Sequence, residues 1–289
     1  QSSTRIPSGI ARCERREHCP AHVAVSNVPV DVRTRPTGKR VGAQRPAAND
    51  IGVGGIGPNG GQVAVANHVS CGVVGVQSSN LHGVCSQLLA AVGLVPMIAR
   101  RHVPRGALTV AHPNGSPGTF DLEVQRMLPL SVSEMARQMN AAIQAAKTLF
   151  VGPIAVSNDT RRFHRHVTCL GRRRALMVHP SLLAEPDVFA EIAGDYDYVQ
   201  MTLQEANLVD PGAEGELPKL ACRIRFLLGD GVDFAITNGA DNGLAWLDRR
   251  WHQIVPACVP ELVCDIGAGD VWGTALFLTR EHFDAEPEA

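Results

Sequence analysis

Acidic residues are missing from a long stretch of this sequence, and aromatic residues are scarce throughout. No Asp or Glu occurs between Ile51 and Phe120, although the chain of 289 residues carries a net charge of only −1. Aromatic residues make up 4% of the chain, so its core must be built mainly from Ala, Val, Ile and Leu. A nearly even charge gives no general attraction to nucleic acid or to an anionic membrane, and we expect neither as a partner.

Long apolar runs and paired cysteines are also lacking. Arg, His, Asn or Gly interrupts every apolar segment before it reaches membrane-spanning length. Residues 1–20 are rich in Arg and have no apolar centre, so we expect a flexible basic leader there and no secretory signal. The eight cysteines form no CxxC pair. Several lie in apolar stretches, which indicates reduced, buried thiols in a cytoplasmic protein.

Two common nucleotide-binding signatures are absent or out of context. The P-loop pattern GxxxxGK[ST] does not occur, which excludes a P-loop kinase. Gly52-Val-Gly54-Gly-Ile-Gly57 matches GxGxxG, but residues 33–62 are too rich in Gly, Pro, Arg and Asn to predict a strand before it. No acid follows before Asp121, so nothing could hold a ribose about 20 residues further on. A Rossmann dehydrogenase is therefore not expected.

Strand and helix patterns alternate in the second half of the chain. Short apolar runs predict strands at 148–156, 175–178, 198–201 and 232–237, and longer periodic segments predict helices at 182–192 and 217–228. Strands separated by helices at this spacing predict a mainly parallel sheet. In the first half, the Val-rich segment 22–32 predicts one strand, and segments 108–111 and 118–122 predict a hairpin.

One short motif carries chemistry. Gly267-Ala268-Gly269-Asp270 precedes a predicted helix at 271–279. Small residues at the start of a helix let a phosphate approach the backbone N–H groups, and the helix dipole favours its negative charge. A carboxylate beside that anion fits a base that takes a proton from an attacking hydroxyl. On these residues alone, a simple helix cap explains the motif equally well.

This motif resembles the C-terminal signature of the ribokinase, or PfkB, carbohydrate kinases. Other segments resemble motifs of that family in the family's order: SNVPVD at 26–31 (GNxxxD), GGIGPN at 54–59 (GGxGxN), the glycine-flanked segment 75–83 (GxxGxDxxG), TLQEA at 202–206 (NxxEA) and TNGADNG at 237–243 (TxGxxG). The agreement runs from about Val23 to Phe277. It implies an α/β fold, a three-layer α/β/α sandwich with a small β lid, in one domain over 21–289. The lid segments are expected within about 30–60 and 105–122.

The resemblance also implies an activity and a set of site residues. The activity is ATP-dependent phosphorylation of a hydroxymethyl group on a small sugar-like substrate, with Mg²⁺ as cofactor and a monovalent cation as a further candidate. The implied residues are Asp270 as catalytic base; Gly267, Ala268 and Gly269 around the transferring phosphoryl group; Thr237, Gly239 and Gly243 at the nucleotide; and Asp31, Gly54, Gly55 and Asn59 at the substrate. Glu205 would place the metal through a water molecule. A homodimer through the lid would also agree with the family.

Some positions depart from the family, and two alternative functions stay open. Thr202 stands where the family has Asn, Asn80 stands where it has Asp, and Cys264-Asp265-Ile266 replaces its Asp-Thr-Thr. The spacing after Asn59 leaves Gly60-Gly61 as a competing register for the glycine-rich motif. The short segment after Asp270 predicts a reduced wall for an adenine pocket. The alternatives are a nucleoside kinase, in which Phe120, Phe150 or Phe163 would stack on a base, and a degenerate member that binds a ligand without turnover.

Overall fold

The computed structural model describes most of the chain and gives thirteen strands and nine helices in its described part. The described residues are 19–36, 47–103, 106–113, 120–126, 128, 130–134, 139–152, 160–170, 172–183, 185–213, 215–256 and 268–282. The strands are β1 His22–Val25, β2 Val30–Pro36, β3 Ala47–Val53, β4 Cys71–Ser78, β5 Val95–Arg101, β6 Leu108–Pro113, β7 Phe120–Arg126, β8 Thr148–Val151, β9 Arg173–Met177, β10 Tyr198–Thr202, β11 Asp233–Asn238, β12 Asp241–Leu247 and β13 Arg250–Ile254. The helices are α1 Ile56–Ala66, α2 His82–Ala91, α3 Asn140–Ala145, α4 Thr160–Thr168, α5 Pro180–Leu183, α6 Pro186–Ala193, α7 Leu203–Val209, α8 Leu217–Leu228 and α9 Ala268–His282.

The main sheet has nine strands in the order β13-β12-β11-β10-β9-β8-β1-β4-β5. The seven strands from β11 to β5 run parallel to their neighbours. Strands β12 and β13 continue the sheet as an antiparallel edge. Helices connect the consecutive parallel strands from β8 to β11, as a parallel sheet requires.

The strands bury side chains on both faces of this sheet. In β8, Leu149 and Val151 pack into one apolar core and Phe150 packs into another, because successive side chains of a strand point to opposite faces. The first core also receives residues of α3, α4, α6, α7 and α8. Helices α1 and α9 add Ile56 and Phe277 to the opposite core. The predicted α/β sandwich with a mainly parallel sheet is confirmed.

A second, four-stranded sheet lies outside the main one, with the order β3-β2-β6-β7. Strand β2 is antiparallel to β3 and parallel to β6, and β7 is antiparallel to β6. We call this sheet the lid. The chain enters it at Val30, directly after leaving the main sheet at Val25. The prediction of one strand over 22–32 is therefore wrong, because one Val-rich run supplies two strands to two different sheets.

The prediction that residues 33–62 contain no regular element is also wrong. This segment holds the end of β2, all of β3 and the first half of α1. A strand therefore does precede the GxGxxG match, contrary to the expectation. It belongs to the antiparallel lid, however, so the match is not part of a parallel βαβ unit and a dinucleotide-binding motif remains unsupported.

The glycines of α1 misled the prediction because they serve close packing instead of turns. The Gly57 N–H donates to the Ser26 hydroxyl at 3.0 Å, so the helix lies directly against the end of β1. A Cβ on Gly60 would overlap the Thr274 hydroxyl of α9, and one on Gly61 would lie 2.7 Å from Leu94. Glycine is therefore required where α1 meets its neighbours.

The burial and oxidation state of the cysteines agree only in part with the expectation. Cys71 and Cys85 are buried free thiols, and burial raises the pKa of each to about 12. Cys169 and Cys222 are free but exposed. Cys19 is disulfide-bonded, so the expectation of reduced thiols is wrong at this position. Scattered spacing carries no information on which thiols meet in the fold.

The helices of the described part include none with the length and apolar character needed to cross a membrane.

The contact between α1 and α9 predicts opposite effects for two glycine substitutions. Gly60→Ala should lower the free energy of unfolding by about 1–3 kcal/mol, because the added methyl group overlaps Thr274. Gly83→Ala in α2 should leave stability unchanged or raise it by up to about 1 kcal/mol, since nothing lies within 4 Å of the new Cβ. Urea unfolding of the two variants measures both values. Equal effects would contradict this account of α1.

Candidate active site

The candidate site lies at the edge of the main sheet where the parallel strands end. Thr202 ends β10, Thr237 is the fifth residue of β11, and the first turn of α9 faces them across a cavity of about 110 Å³. The cavity is lined by Ile56, Met177, Val178, Gln200, Met201, Thr202, Glu205, Thr237, Gly269 and Asp270. Ligands of open parallel sheets bind at this edge, because loops and helix N-termini converge there.

Asp270 and Asn59 form the central contact of the site. Asn59 Nδ2 in α1 donates to Asp270 Oδ2 in the first turn of α9, at 2.9 Å. Burial raises the pKa of Asp270 from its usual 3.8 to about 6, while the hydrogen bond from Asn59 lowers it. Burial disfavours the charged carboxylate, and the amide stabilises it. The result is a carboxylate that is ionised above pH 6 and is a stronger base than an exposed Asp.

Glu205 lies on the far side of the same cavity and begins α7 through a capping box. Its Oε2 accepts from the Thr202 N–H at 2.8 Å, and the Glu205 N–H donates to the Thr202 hydroxyl at 3.2 Å. The pKa of Glu205 is raised, first by burial and also by the charge of Asp270, and the hydrogen bonds from Thr202 lower it. The Thr that departs from the family motif is therefore an effective N-cap.

Asp270 and Glu205 could hold Mg²⁺ through water molecules, but they do not form a complete set of direct ligands. Among the described residues, no three His, Cys, Asp or Glu side chains are grouped closely enough to hold a metal ion. Mg²⁺ commonly keeps several waters and uses one or two carboxylates together with substrate phosphates. A cation in this cavity would also offset the mutual repulsion that raises the pKa of Glu205. The residues present therefore fit a water-mediated Mg²⁺ site.

The predicted substrate residues come from the lid and from the start of α1. Asp31 in β2 is buried and packs directly on the Gly54 backbone, where any Cβ would overlap its carboxylate. Gly55 caps α1 with φ +89°, and a Cβ there would overlap the Asn27 carbonyl oxygen. These glycines let the lid strand that carries Asp31 approach the helix that carries Asn59.

Of the three residues predicted to bind the nucleotide, one lines the cavity and two do not. Thr237 lines the cavity, and its hydroxyl reaches the Met201 carbonyl at 3.5 Å. Gly239 lies in the turn after β11 with φ +58°, and a Cβ on Gly243 would overlap the Ile236 carbonyl oxygen of the paired strand. Neither of these glycines lines the cavity. The structure explains both by backbone geometry, and their contact with a nucleotide stays a prediction.

The segment predicted to bind the transferring phosphoryl group is described only in part. Gly269 lines the cavity, and a Cβ at this position would meet nothing within 4 Å. Ala268 begins α9 and is exposed, whereas Gly267 lies outside the described residues. Residues 1–18 of the predicted leader are also outside them.

The structure favours one register of the glycine-rich motif and adds residues that the sequence did not single out. Asn59 contacts Asp270, whereas Gly60 and Gly61 pack against α9 and β4, and this difference favours 54–59 over the competing register. Gln200 is buried in the cavity wall, where its side-chain oxygen accepts from the Tyr198 hydroxyl at 2.5 Å. The sequence offered one indication that Gln200 matters, namely its position as a polar residue inside an apolar strand. Met177, Met201 and Ile56 gave no signal, because apolar residues on strands and helices usually belong to the core.

Comparison with known proteins supports the fold at low sequence identity. No family model and no curated protein sequence matches the chain. Among solved structures, it is similar to phosphofructokinase-2 from Escherichia coli in complex with substrates and products (TM-score 0.73, 17% identity, 93% of this chain and 88% of that chain). It is also similar to a fructokinase with bound ATP from Xylella fastidiosa (TM-score 0.71, 15% identity, 92% and 83%). A third similar structure is an E. coli protein described as a ribokinase II, with ATP and Mg²⁺ (TM-score 0.70, 14% identity, 92% and 88%).

These similarities cover most of each chain and show that the protein has the ribokinase-like fold of the PfkB carbohydrate kinases. The resemblance that the sequence motifs indicated is therefore confirmed at the level of the fold.

The raised pKa of Asp270 predicts a lower free energy of unfolding at neutral pH. The folded-state pKa of Asp270 is about 6 and its ordinary value is 3.8, so the folded state binds more protons between these values and stability falls as pH rises through this window. Asp270→Asn should therefore raise the free energy of unfolding at pH 7.5 by about 1–3 kcal/mol, and the gain should vanish below pH 4. Urea unfolding at both pH values tests this. Asp241→Asn, which changes an exposed residue, is the control, and a loss of stability in Asp270→Asn at pH 7.5 would contradict the account.

Proposed function

We propose that this protein is an ATP-dependent kinase that phosphorylates a hydroxymethyl group of a small sugar-like substrate. The observation that carries the proposal is the contact between Asp270 and Asn59 at the start of α9. This contact holds one partly buried, hydrogen-bonded carboxylate with a pKa of about 6 beside the N-terminus of a helix whose Gly269 lines the cavity. A general base and an anion site side by side are what phosphoryl transfer to an alcohol requires.

Asp270 would accept the proton of the attacking hydroxyl. Asn59 donates to Oδ2, so Oδ1, which does not share this hydrogen bond, would be the oxygen that receives the proton. The hydrogen bond also fixes the rotation of the carboxyl group, which keeps that oxygen directed at one position of the substrate. A base with a pKa close to the working pH combines a high ionised fraction with a useful proton affinity.

The first turn of α9 would bind the transferring phosphoryl group. Gly269 presents bare backbone to the cavity, and the N-terminus of a helix of 15 residues carries a partial positive charge. Thr237, which lines the same cavity, would contact the phosphates of ATP. Mg²⁺, held through water near Glu205, would neutralise charge on those phosphates.

A sugar fits the described walls better than a nucleobase does. The residues that line the cavity include no aromatic side chain. Phe150 and Phe163, two candidates for stacking on a base, are fully buried in the apolar cores and cannot reach a ligand. Asp31 and Asn59 are hydrogen-bonding groups suited to hydroxyls.

We expect the reaction in the cytoplasm, where ATP is available. A monovalent cation and a homodimer through the lid stay predictions.

Turnover assays with matched variants test the proposal. ADP release is measured with Mg²⁺ and ATP against a panel of sugars, phosphorylated sugars and nucleosides, with EDTA as a control. We expect sugar-dependent turnover that falls about 10²–10⁴-fold in Asp270→Asn, which keeps the shape but removes the base. In the wild type, kcat/KM should rise with pH up to about 6 and then level off, since the base must be ionised.

Three outcomes would contradict the proposal. Turnover that survives in Asp270→Asn would remove the base from the mechanism. A preference for nucleosides would replace the substrate class. Ligand binding in calorimetry without any turnover would indicate a degenerate, ligand-binding member of the fold.

A further inference from the structure

Gln77 is a fully buried polar residue, near the end of β4, whose hydrogen-bonding capacity is completely used. Its Nε2 donates to the Val28 carbonyl at 3.2 Å and to the Ala107 carbonyl at 3.1 Å. Its Oε1 accepts from the Ala107 N–H at 2.8 Å and from the Ser78 N–H at 2.9 Å. A primary amide has two donors and two acceptor sites, so one side chain is saturated by backbone groups.

The backbone segments that Gln77 binds are two of the connections between the main sheet and the lid. Val28 lies between the last residue of β1 and the first residue of β2, and Ala107 directly precedes β6. Beyond Gln77, these two segments also bind each other, since the Val30 N–H donates to the Ala107 carbonyl at 3.1 Å. The Gln77 side chain of the main sheet therefore binds the chain just before lid strand β2 and just before lid strand β6.

The connecting segments pack closely around the amide. A Cβ on Gly106 would overlap Gln77 Oε1 and would lie 2.6 Å from Leu81. A Cβ on Gly75 would lie 2.6 Å from the Val28 side chain. Glycine at both positions lets the connecting segments close on Gln77, so the junction is packed as well as hydrogen-bonded.

We propose that Gln77 is a positioning residue that sets the orientation of the lid on the main sheet. The lid strand β2 carries Asp31 one residue after Val30, and Asp31 packs on Gly54 at the start of the helix that holds Asn59. The orientation that Gln77 fixes therefore sets the distance between Asp31 and the Asn59–Asp270 pair. This inference rests on the proposed function for its effect on substrate, while its structural part is independent of it.

Two variants and a matched control test the role. Gln77→Met is close in size and removes the whole amide; Gln77→Glu keeps the two acceptor contacts and removes both donors. Leu220→Ala is the control, because Leu220 is buried in the core around α8 and makes no part of the lid. Both Gln77 variants should raise KM for the acceptor sugar about tenfold or more, with kcat and KM for ATP changed by less than about threefold, because the lid strand that carries Asp31 loses the contacts that hold it on the main sheet. Leu220→Ala should leave all three values near wild type.

Hydrogen exchange measures the same effect without activity. Amide protection should fall in β2 and β6 of both Gln77 variants relative to β10 and β11, and it should fall without this bias in Leu220→Ala. Equal loss across both sheets, or KM effects in Leu220→Ala as large as those in Gln77→Met, would overturn the positioning role. If the wild type turns over no substrate, the proposed function fails, and the exchange pattern alone still decides whether Gln77 holds the lid.

Discussion

The close contact between α1 and α9 is the constraint on which the site depends. Asn59 can reach Asp270 because Gly60, its neighbour in α1, allows the helix to touch Thr274 of α9 without an intervening side chain. The same approach buries the Asp270 carboxyl group, and this burial is the main cause of its raised pKa. One packing contact therefore accounts for the position, the orientation and the raised pKa of the Asp270 carboxyl group.

The site is built at the expense of stability. Asp270 and Glu205 are acids in one partly closed cavity, and their pKa values are both raised by burial. Each would be more easily accommodated as a neutral group, yet each keeps hydrogen bonds that favour its charged form: Asn59 for Asp270 and Thr202 for Glu205. Such opposed effects are common where a fold maintains a reactive group, because the arrangement that optimises chemistry differs from the one that optimises folding.

The sequence predicted the second half of the chain better than the first, for a physical reason. Helix 217–228 follows from local periodicity, which acts within a few positions of the chain. The division of 22–32 between two sheets depends on partners about 50 to 80 residues away, at Cys71 and Leu108, which no local pattern reveals. The glycines of α1 look like turn residues in the sequence and prove to be contact residues in the fold.

The geometry of the candidate site could be predicted only in part for the same reason. GAGD pointed to Asp270 because a helix start and a carboxylate are adjacent in the chain. Its contact with Asn59 joins residues 211 positions apart, and the register that leads to it stayed open until the fold placed both helices. The sequence held no indication of what Gln77 binds, because the backbone groups around its amide come together only in the fold.

The central claim is that burial makes Asp270 a base poised near neutral pH, and a carbon-13 NMR titration of its side-chain carboxyl group tests this most directly. Assignment would come from the loss of one signal in Asp270→Asn. The account predicts a titration midpoint near 6 in the folded protein. A midpoint near 4, the value of an exposed Asp, would show that the carboxyl group is solvated and would contradict the account.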